Sequence, residues 1–286
     1  MISRTQLRQF LAVVDAGNFT RAAAQIHVTQ PTLSAGIAEL ERQLDAPLFT
    51  RSNRRVQLTD AGNRLLAHAR AIEREFRRAE ESVTGIAAPL QPLRLGVLAS
   101  IATARLEAAL AGYAQPIEIT EGSERELAAS LADGRIDLAL TLLRAGDERF
   151  ARRSIYTEGY RLALPLNHPQ ASRISVAAEE IAGETMIARR ACEMLAETSR
   201  FFTERGVRPP FSFRSANDDR AMAMVRAGLG ITVAPHSLGG PGIAMPRLVD
   251  FDAVREVGLL FAAHWQQPEH PVISALARVA DDAPPP

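Results

Sequence analysis

The feature that most constrains this chain is a pair of short helical patterns joined by a tight turn near the amino terminus. The first pattern begins at Thr20, and its run of small alanines allows a neighbouring helix to approach closely. The second begins at Thr29 and has Pro31 in its first turn, where a missing amide costs nothing. The spacing predicts a helix-turn-helix whose second helix has an apolar stripe formed by Leu33, Ile37, Leu40 and Leu44.

The amino-terminal turn of the second helix carries small polar side chains on the face opposite the apolar stripe. A helix-turn-helix presents this turn to the major groove of DNA. Gln30 matches an adenine edge, and Thr32 with the Pro31 ring can touch a thymine methyl group. For Thr29 and Ser34, helix capping or phosphate anchoring without specificity stays an alternative. The predicted DNA contacts of this helix are Thr29, Gln30, Pro31, Thr32 and Ser34.

A basic hairpin pattern follows the second helix and predicts a wing. Leu48 and Phe49 give it a buried anchor, and the segment at 56–58 alternates as a strand does. Arginines on a wing can reach phosphates or a narrow minor groove while the helix reads the major groove. The predicted wing contacts are Arg51, Arg54 and Arg55.

These residues resemble the LysR-type transcriptional regulators. The amino-terminal pattern of that family is matched here by FxxVxxxGxFTxAAxxxxxTQPTLSxxIxxLExxLxxxLFxRxxRxxxLTxAG. The match runs from Leu7 to Gly62, and its many fixed positions make it far more specific than a bare helix-turn-helix. Many members carry a long polar residue just after the serine, where this chain has Ala35 and Gly36. We therefore expect one DNA contact to be missing and the site preference to be altered.

A long helical pattern follows the wing and runs from Thr59 or Asp60 to about Thr84. Its apolar positions recur at spacings of four and three, as in a coiled-coil seam, and charged residues fill the positions between them. The alternative is a helix that packs on its own domain, but the polar flanks and the alanines in the seam favour pairing with a second chain. The predicted dimerisation residues are Leu65, Ala69, Ile72, Phe76, Ala79 and Val83.

Charge and cysteine content limit the classes of protein that fit. The chain has 33 basic and 33 acidic residues, but residues 1–58 carry seven arginines against four acids, which supports DNA binding weakly. The single cysteine, Cys192, excludes a disulfide within these residues. The first residues lack the apolar segment of a signal peptide, and no span approaches the about 20 apolar residues of a membrane helix. We expect a cytoplasmic protein without membrane contact.

Short apolar strands alternate with helices from Leu93 onward. This alternation predicts mostly parallel sheets with helices on their faces, in an α/β domain of two lobes. The segment 85–92 is rich in small residues and prolines and marks the boundary before it. The expected strands are 93–98, 117–120, 138–142, 161–164, 185–188, 211–214, 231–234 and 257–262. The expected helices are about 102–112, 123–133, 175–182, 195–205, 218–227 and 270–281.

Three segments of this region resemble the effector-binding domain of LysR-type regulators, which shares the two-lobed fold of periplasmic solute-binding proteins. They are GRIDLAL at 134–140, LPLNHP at 164–169 and VRAGLGITVAP at 225–235. The resemblance implies that the chain crosses between the lobes twice, and we expect the crossings near 161–164 and 260–263. The expected domains are a winged helix-turn-helix at 1–58, a linker dimerisation helix at 59–88 and an effector-binding domain at 89–286, with lobe I at about 93–161 and 263–286 and lobe II at about 162–262.

Polar side chains stand where the predicted strands end and the next helices begin. Doubly wound sheets bind ligands at this edge, where helix amino termini point amides into the cleft. Hydroxyl, amide and guanidinium groups at these positions suit a small anionic effector such as a carboxylate, although several of them could instead cap helices. The expected effector-binding residues are Ser100, Thr103, Thr141, Arg189, Cys192, Ser215 and Asn217.

Cys192 admits a second interpretation, a thiol-based redox sensor. It lies roughly where redox-sensing members of the LysR-type family have their reactive cysteine, and the two preceding arginines would lower the pKa of its thiol. No second cysteine is present to resolve a sulfenic acid, and the surrounding ARRACEMLAE lacks the local motif of those members. A cysteine that lines a pocket as a small apolar residue is the favoured interpretation.

The predicted function is ligand-responsive control of transcription. The histidines lack metal-ligand spacing and no catalytic constellation is visible, so we expect neither an enzyme nor a bound cofactor or metal. A solute-binding protein would use the same two lobes, and an architectural DNA-binding protein would need only residues 1–88. The resemblance implies a dimer on dyad-symmetric promoter sites in double-stranded DNA and a tetramer across two such sites. It also implies a small-molecule effector between the lobes. RNA polymerase is a further possible partner.

Overall fold

The computed structural model describes residues 1–52, 55–84, 92–265 and 269–278 of the chain. An amino-terminal domain of helices and a hairpin leads into a long helix and then into two lobes built on β-sheets. The predicted fold class, a winged helix-turn-helix with a long linker helix and a two-lobed α/β domain, is confirmed. None of the helices among the described residues combines the length and the apolar composition that a membrane span requires.

The amino-terminal domain folds around the apolar faces of its helices. Phe10, Leu33 and Leu40 are fully buried in this core, and Leu48 and Phe49 close it from the hairpin side. Burial of such side chains is the main stabilising contribution in a domain of this size. The elements are α1 (Arg4–Ala16), α2 (Phe19–Gln25), α3 (Gln30–Leu44), β1 (Phe49–Ser52) and β2 (Arg55–Leu58).

Side-chain caps fix where these helices begin. Ser3 and Gln6 form a reciprocal capping box, which fixes the start of α1 at Arg4. Asn18, rather than the expected Thr20, caps α2, because its side-chain oxygen accepts two amides of the first turn. Thr29 caps α3 as expected.

The long helix α4 (Asp60–Thr84) packs its first half on the amino-terminal domain. Leu66 and Ala69 are buried in that core, and Leu65 packs against it. The expected dimerisation seam is therefore corrected at Leu65 and Ala69, because these side chains are already used within their own chain. The remaining residues of the predicted seam are exposed: Ile72, Phe76, Ala79 and Val83.

Residues from Leu93 onward form the two lobes. In lobe I, parallel strands alternate with helices: β3 (Leu93–Leu98), α5 (Thr103–Leu110), β4 (Ile117–Gly122), α6 (Glu124–Ala132) and β5 (Leu138–Leu142). The long strand β6 (Ala151–Pro165) then leads into lobe II. Lobe II contains β7 (Ser175–Val176), β8 (Met186–Arg189), α7 (Leu195–Glu204), β9 (Phe211–Ser215), α8 (Asp218–Arg226), β10 (Thr232–Pro235), β11 (Ile243–Ala244) and β12 (Arg247–Leu248). Finally, β13 (Val254–Phe261) and α9 (Pro271–Arg278) pack in the core of lobe I.

The sheets are mixed rather than mostly parallel. Strand β13 lies between β5 and β6 and is antiparallel to both, and β10 is antiparallel to β6. A buried strand has the same apolar pattern in either direction, so the alternation of strands and helices could not indicate its orientation. The expected helix at 175–182 is also wrong: β7 and a 3-10 turn at residues 178–181 take its place.

The crossings between the lobes lie earlier in the chain than expected. The first half of β6 pairs with β13 and its second half with β10, so the first crossing lies in the middle of β6 rather than at 161–164. Val257 and Leu259 of β13 belong to the core of lobe I. The second crossing therefore precedes β13 instead of falling at 260–263, and residues 254–262 pack with lobe I, not with lobe II.

Candidate DNA interface and effector site

The amino-terminal turn of α3 lies on the surface of the amino-terminal domain. Thr29, Gln30, Pro31 and Thr32 are all exposed, and the next residue, Leu33, is fully buried. The Thr29 hydroxyl accepts the Thr32 amide at 3.3 Å and lies 2.8 Å from the Thr32 hydroxyl. Capping thus uses part of the hydrogen-bonding capacity of both threonines, whereas the Pro31 ring is open to a thymine methyl group.

A hydrogen bond along the helix joins Gln30 to Ser34. Gln30 Nε2 donates to Ser34 Oγ at 2.9 Å. Glutamine reads adenine by accepting with its amide oxygen and donating with its amide nitrogen. The oxygen and one Nε2 hydrogen remain available, so Gln30 can meet an adenine edge while it keeps this bond. Ser34, which is half-buried, is placed to orient Gln30.

Gly36 faces α1 and not the solvent. A Cβ atom at this position would lie 2.1 Å from Oε1 of Gln9, whose side chain is buried. A side chain at residue 36 would have to displace the end of the Gln9 side chain, and it would point towards α1 rather than towards DNA. We expected one DNA contact to be missing at Ala35 and Gly36. Of these two residues, Ala35 is exposed, so the missing contact is assigned to Ala35 alone.

The hairpin after α3 has the form expected of a wing. Glu41 Oε1 accepts the amide of Leu48 at 2.7 Å and so fixes the turn that leads into β1. Of the wing arginines, Arg51 is on β1 and Arg55 on β2, while Arg54 lies outside the described residues. A role in DNA binding stays a prediction for all three.

A guanidinium group from β13 occupies the space beside Ser100 between the lobes. Arg255 is 3% exposed and directs its N–H groups to three residues. Its Nη1 donates to Ser100 Oγ after β3 at 3.0 Å and to Glu193 Oε1 after β8 at 2.7 Å. Its Nε and Nη2 donate to Glu158 Oε1 on β6 at 3.0 and 2.8 Å. The hydroxyl of Ser100, expected to contact an effector, thus binds an arginine that joins the two lobes.

Two further side chains complete this interlobe cluster, which consists of Ser100, Glu158, Tyr160, Glu193, Ser237 and Arg255. Tyr160 Oη donates to Glu193 Oε1 at 2.5 Å, and Ser237 Oγ donates to Glu158 Oε1 at 2.9 Å. Burial alone would raise the pKa of Glu193, but the charge of Arg255 and the hydrogen bond from Tyr160 lower this pKa to about 2. Glu193 is therefore ionised at neutral pH, and two carboxylates share one guanidinium.

Most other expected effector residues make contacts within the protein. Thr103 Oγ1 donates to Asp219 Oδ2 at 2.5 Å, which joins α5 of lobe I to α8 of lobe II. Ser215 Oγ accepts the amide of Asn217 at 3.0 Å, and Asn217 in turn caps α8. Thr141 is buried, and its hydroxyl has no hydrogen-bond partner among the described residues. Ser215 and Asn217 thus stabilise the start of α8, whereas Thr103 lies at the contact between the lobes.

Arg189 and Cys192 lie together in lobe II. The buried guanidinium of Arg189 forms an ion pair with Asp218, and Nε donates to Oδ1 at 2.9 Å. Its Nη1 lies 3.5 Å from Cys192 Sγ. Burial raises the pKa of the Cys192 thiol, and the nearby charge of Arg189 does not offset this. Because Asp218 balances its charge, Arg189 offers no free cation to an anionic effector, and Cys192 is a neutral thiol at neutral pH.

Sequence reasoning missed the charged residues that hold the lobes together, which are Arg255, Glu158, Glu193 and Asp219. One signal was present: AVREVGLL places Arg255 and Glu256 side by side in an otherwise apolar strand, and because side chains alternate between the two faces, one of the two charges must face inwards. A charge in a strand buried on both faces needs a partner of opposite charge. The pattern could have indicated an ion pair but not its partner, since Glu158 is 97 residues away along the chain.

A second charged cluster joins the amino-terminal domain, α4 and lobe I. Asp137 Oδ1 lies 2.7 Å from Nη1 of Arg70, 2.8 Å from Nη2 of Arg94 and 2.7 Å from Nε2 of His264. Asp15 on α1 accepts from the same two arginines at 3.0 and 2.8 Å. These five residues, the junction cluster, connect the amino-terminal domain and α4 to lobe I.

Comparisons with known proteins give the same domain order. The family model of the LysR substrate binding domain matches residues 87–283, and that of the bacterial regulatory helix-turn-helix protein, lysR family, matches residues 5–63. A probable hydrogen peroxide-inducible genes activator of Mycobacterium avium is 33% identical over 273 residues, which cover 89% of this chain and 86% of the relative. The DNA-binding transcriptional dual regulator OxyR of Escherichia coli K12 is 27% identical over 287 residues, 96% of this chain and 92% of the relative.

Solved structures of similar proteins share the fold over nearly the whole chain. A full-length OxyR variant from Pseudomonas aeruginosa aligns with a TM-score of 0.66 and 23% identity, covering 99% of this chain and 96% of that one. Full-length BenM aligns with a TM-score of 0.51 and 22% identity, covering 98% of this chain and 96% of that one. At these identities the likeness concerns the fold alone.

Proposed function

Because this chain belongs to the LysR family of DNA-binding transcriptional regulators, we propose that a small anionic effector bound between its two lobes controls its effect on transcription. The family consists of regulators rather than enzymes. The observation that carries the proposal is the interlobe cluster, in which Arg255 binds Ser100 of lobe I and Glu193 of lobe II. A ligand that binds one arrangement of these contacts better than another shifts the balance between lobe arrangements.

The charges of the interlobe cluster favour an anionic effector that replaces one of the cluster's own carboxylates on Arg255. Glu158 and Glu193 share the guanidinium of Arg255. The carboxylate of an effector can replace Glu193 there, since charge-assisted hydrogen bonds to arginine are strong and directional. Loss of that bond would release the loop between β8 and α7 from Arg255. Effector binding would thereby be coupled to a movement of lobe II.

Titration of small carboxylates against the full chain tests this proposal. The change Glu193→Gln keeps an oxygen acceptor for Arg255 and Tyr160 but removes the competing charge, so we expect an anionic effector to bind about tenfold more tightly. The exposed Glu197→Gln on α7 is the matched control and should leave affinity unchanged. The proposal fails when a broad panel of mono- and dicarboxylates binds neither the unmodified chain nor the Glu193 variant in calorimetry.

The DNA-binding part of the proposal involves two chains. Regulators of this family bind DNA and self-associate. Residues 1–58 carry seven arginines against four acids, and so small an excess positive charge gives weak and salt-sensitive binding to phosphates. We therefore propose that two chains, joined through the exposed half of α4, bind a dyad-symmetric promoter site, and that two dimers form a tetramer across two sites.

Peroxide sensing is a second candidate, and the names of the relatives favour it. Those from Mycobacterium avium and Pectobacterium carotovorum are called hydrogen peroxide-inducible genes activators. In such a step the Cys192 thiolate would attack peroxide, forming a sulfenic acid and releasing hydroxide, which takes up a proton to become water. The raised pKa of the thiol leaves little thiolate at neutral pH and so opposes this step. For that reason we rank it below effector binding.

Peroxide treatment of the full chain separates the two candidates. We expect little labelling of folded Cys192 by a sulfenic-acid reagent, and strong labelling once the chain is unfolded in urea. Labelling of the folded chain, together with a change in promoter affinity that Cys192→Ser abolishes, would establish peroxide sensing instead.

A further inference from the structure

Lobe II contains a cavity of about 380 Å³ between α7 and the strands β8 and β10. It lies outside the interlobe cluster, although Arg189 and Cys192 form its inner end. Cavities of this size are within the range of small-molecule sites, whose walls are mainly apolar with a few polar groups. The apolar part of this wall is formed by Met186, Leu195, Phe202, Val207, Pro209 and Phe211.

The packing of α7 leaves this space open. Phe201 packs on Phe251, with ring centroids 5.0 Å apart, and so draws the helix towards the second half of β6. Of the neighbouring strands, β8 is buried, whereas β9 stays partly exposed. Leu195 is 38% exposed and Phe211 is 50% exposed at the opening. Exposed apolar side chains that line a cavity mark a place where a ligand can be bound.

The polar groups of the cavity lie at its rim and its inner end. Arg208 lines the cavity and is exposed, and it has no ion-pair partner in the part of the chain that the structure describes. Thr198 and Ser199 add hydroxyl groups from α7. By contrast, the inner Arg189 is already neutralised by Asp218. The unpaired positive charge is therefore at the rim and the apolar volume lies behind it.

We infer that this cavity binds a small organic acid with an apolar ring or chain. The apolar part lies against Phe202 and Val207, and the carboxylate binds Arg208. An arginine at the rim can bind a carboxylate while both stay partly hydrated, which avoids the cost of burying a charge.

The inner end of the cavity is linked to the contact between the lobes. Arg189 binds Asp218, the first residue of α8, and the next residue, Asp219, accepts from Thr103 of lobe I. A ligand that moves Arg189 would therefore move the start of α8 and alter this bond. This regulatory consequence rests on the proposed function, whereas binding of the acid does not.

Calorimetric titration of the full chain with 2-naphthoate tests the site, with decanoate as an aliphatic probe and naphthalene-2-methanol as the uncharged counterpart. We expect saturable binding of both acids. Arg208→Gln should weaken acid binding by about tenfold, since a hydrogen bond to a charged group is lost, and should leave the alcohol unaffected. Ser199→Phe should fill the cavity and abolish binding of all three. Arg220→Gln, an exposed arginine on α8, is the control and should change nothing.

Two results would overturn the site: neither acid binds the unmodified chain, or binding survives Ser199→Phe, which would place the ligand elsewhere. Both variants change exposed side chains, so an unchanged melting temperature shows that the fold is retained. Promoter affinity is measured in the same samples. Loss of acid binding in Ser199→Phe supports the cavity as the binding site. If promoter affinity nevertheless does not respond to the acid, that result counts against the proposed regulatory function.

Discussion

Gly36 and Gly62 lie where a neighbouring group comes too close for a Cβ atom. At Gly36 the neighbour is the end of the Gln9 side chain, which can shift, whereas at Gly62 it is the main-chain oxygen of Leu48, 2.2 Å from the Cβ position. The main chain of Leu48 is also fixed by its bond to Glu41. The start of α4 can therefore contact the turn before the wing only because residue 62 has no side chain.

The change Gly62→Ala should therefore destabilise the amino-terminal domain. We expect the free energy of unfolding to fall by about 3 kcal/mol, because a methyl group is forced against main-chain atoms. Urea unfolding followed by circular dichroism measures this. Gly183→Ala is the control, since no atom lies within 4 Å of its Cβ position. Equal stability of the two variants would show that the wing is not held in this way.

Gln30 is predicted to carry sequence preference, because its side-chain amide is exposed and held by Ser34. In Gln30→Ala, we expect affinity for the cognate promoter to fall by about 1 to 3 kcal/mol while affinity for random duplex DNA stays nearly constant. Fluorescence anisotropy with both duplexes measures this. Equal weakening on both would mean that Gln30 contacts the DNA backbone and does not read a base.

Among the elements, α4 differs in its contacts along its length. Its first half completes the core of the amino-terminal domain through Leu66 and Ala69. Its second half keeps Ile72 and Phe76 exposed, and the guanidinium of Arg4 lies 4.3 Å from the Phe76 ring centroid. Exposed apolar side chains at heptad spacing are typical of a helix that pairs with another.

We predict that Ile72→Glu or Phe76→Glu yields monomers, because burying an unpaired carboxylate in a helix pair is costly. Light scattering behind a sizing column measures the mass. Arg64→Glu, an exposed position on α4 outside the seam, is the control and should stay dimeric. Dimers of both Glu variants at low micromolar concentration would remove this half of α4 from the interface.

For the whole molecule, the junction cluster decides how the DNA-reading domain is attached to the effector domain. Asp137 is 8% exposed and receives hydrogen bonds from α4 and β3 through Arg70 and Arg94. Burial alone would raise the pKa of Asp137, but the hydrogen bond from His264 and the charge of Arg94 outweigh it and lower this pKa. The ionised carboxylate thus stabilises the contact between the parts of the chain.

We expect Asp137→Asn to lower stability by about 3 kcal/mol at pH 7, because it leaves the half-buried Arg70 and Arg94 with only the exposed Asp15 as counter-ion. The pKa of Asp137 in the folded chain lies below its unperturbed value of 3.8, so the contribution is complete above that pH and is lost as pH falls through the folded pKa. The difference between variant and unmodified chain should therefore shrink towards pH 3. Urea unfolding at both pH values measures it, with the exposed Asp252→Asn as control. A difference that does not vary with pH would contradict an ionised Asp137.

The sequence by itself determined the order of the parts and the helix-turn-helix whose exposed α3 turn we propose to read DNA. Apolar spacing, caps and turn residues act over a few positions, which is why Thr29, Pro31 and the stripe of α3 could be recognised from spacing alone. The same locality explains why most strands and helices of the two lobes were predicted in their observed order, although the helix expected at 175–182 was not found. Their directions were not determined, because a buried strand pattern is identical either way.

Only the tertiary structure decided which groups meet. Arg255 reaches Glu158 across 97 positions of the chain and fills the place beside Ser100 that the sequence assigned to a ligand. Ala69, at a seam spacing, is buried within its own chain, because the nearest apolar core lies in the amino-terminal domain. Burial and ion pairing depend on contacts distant in sequence, and no local pattern records them.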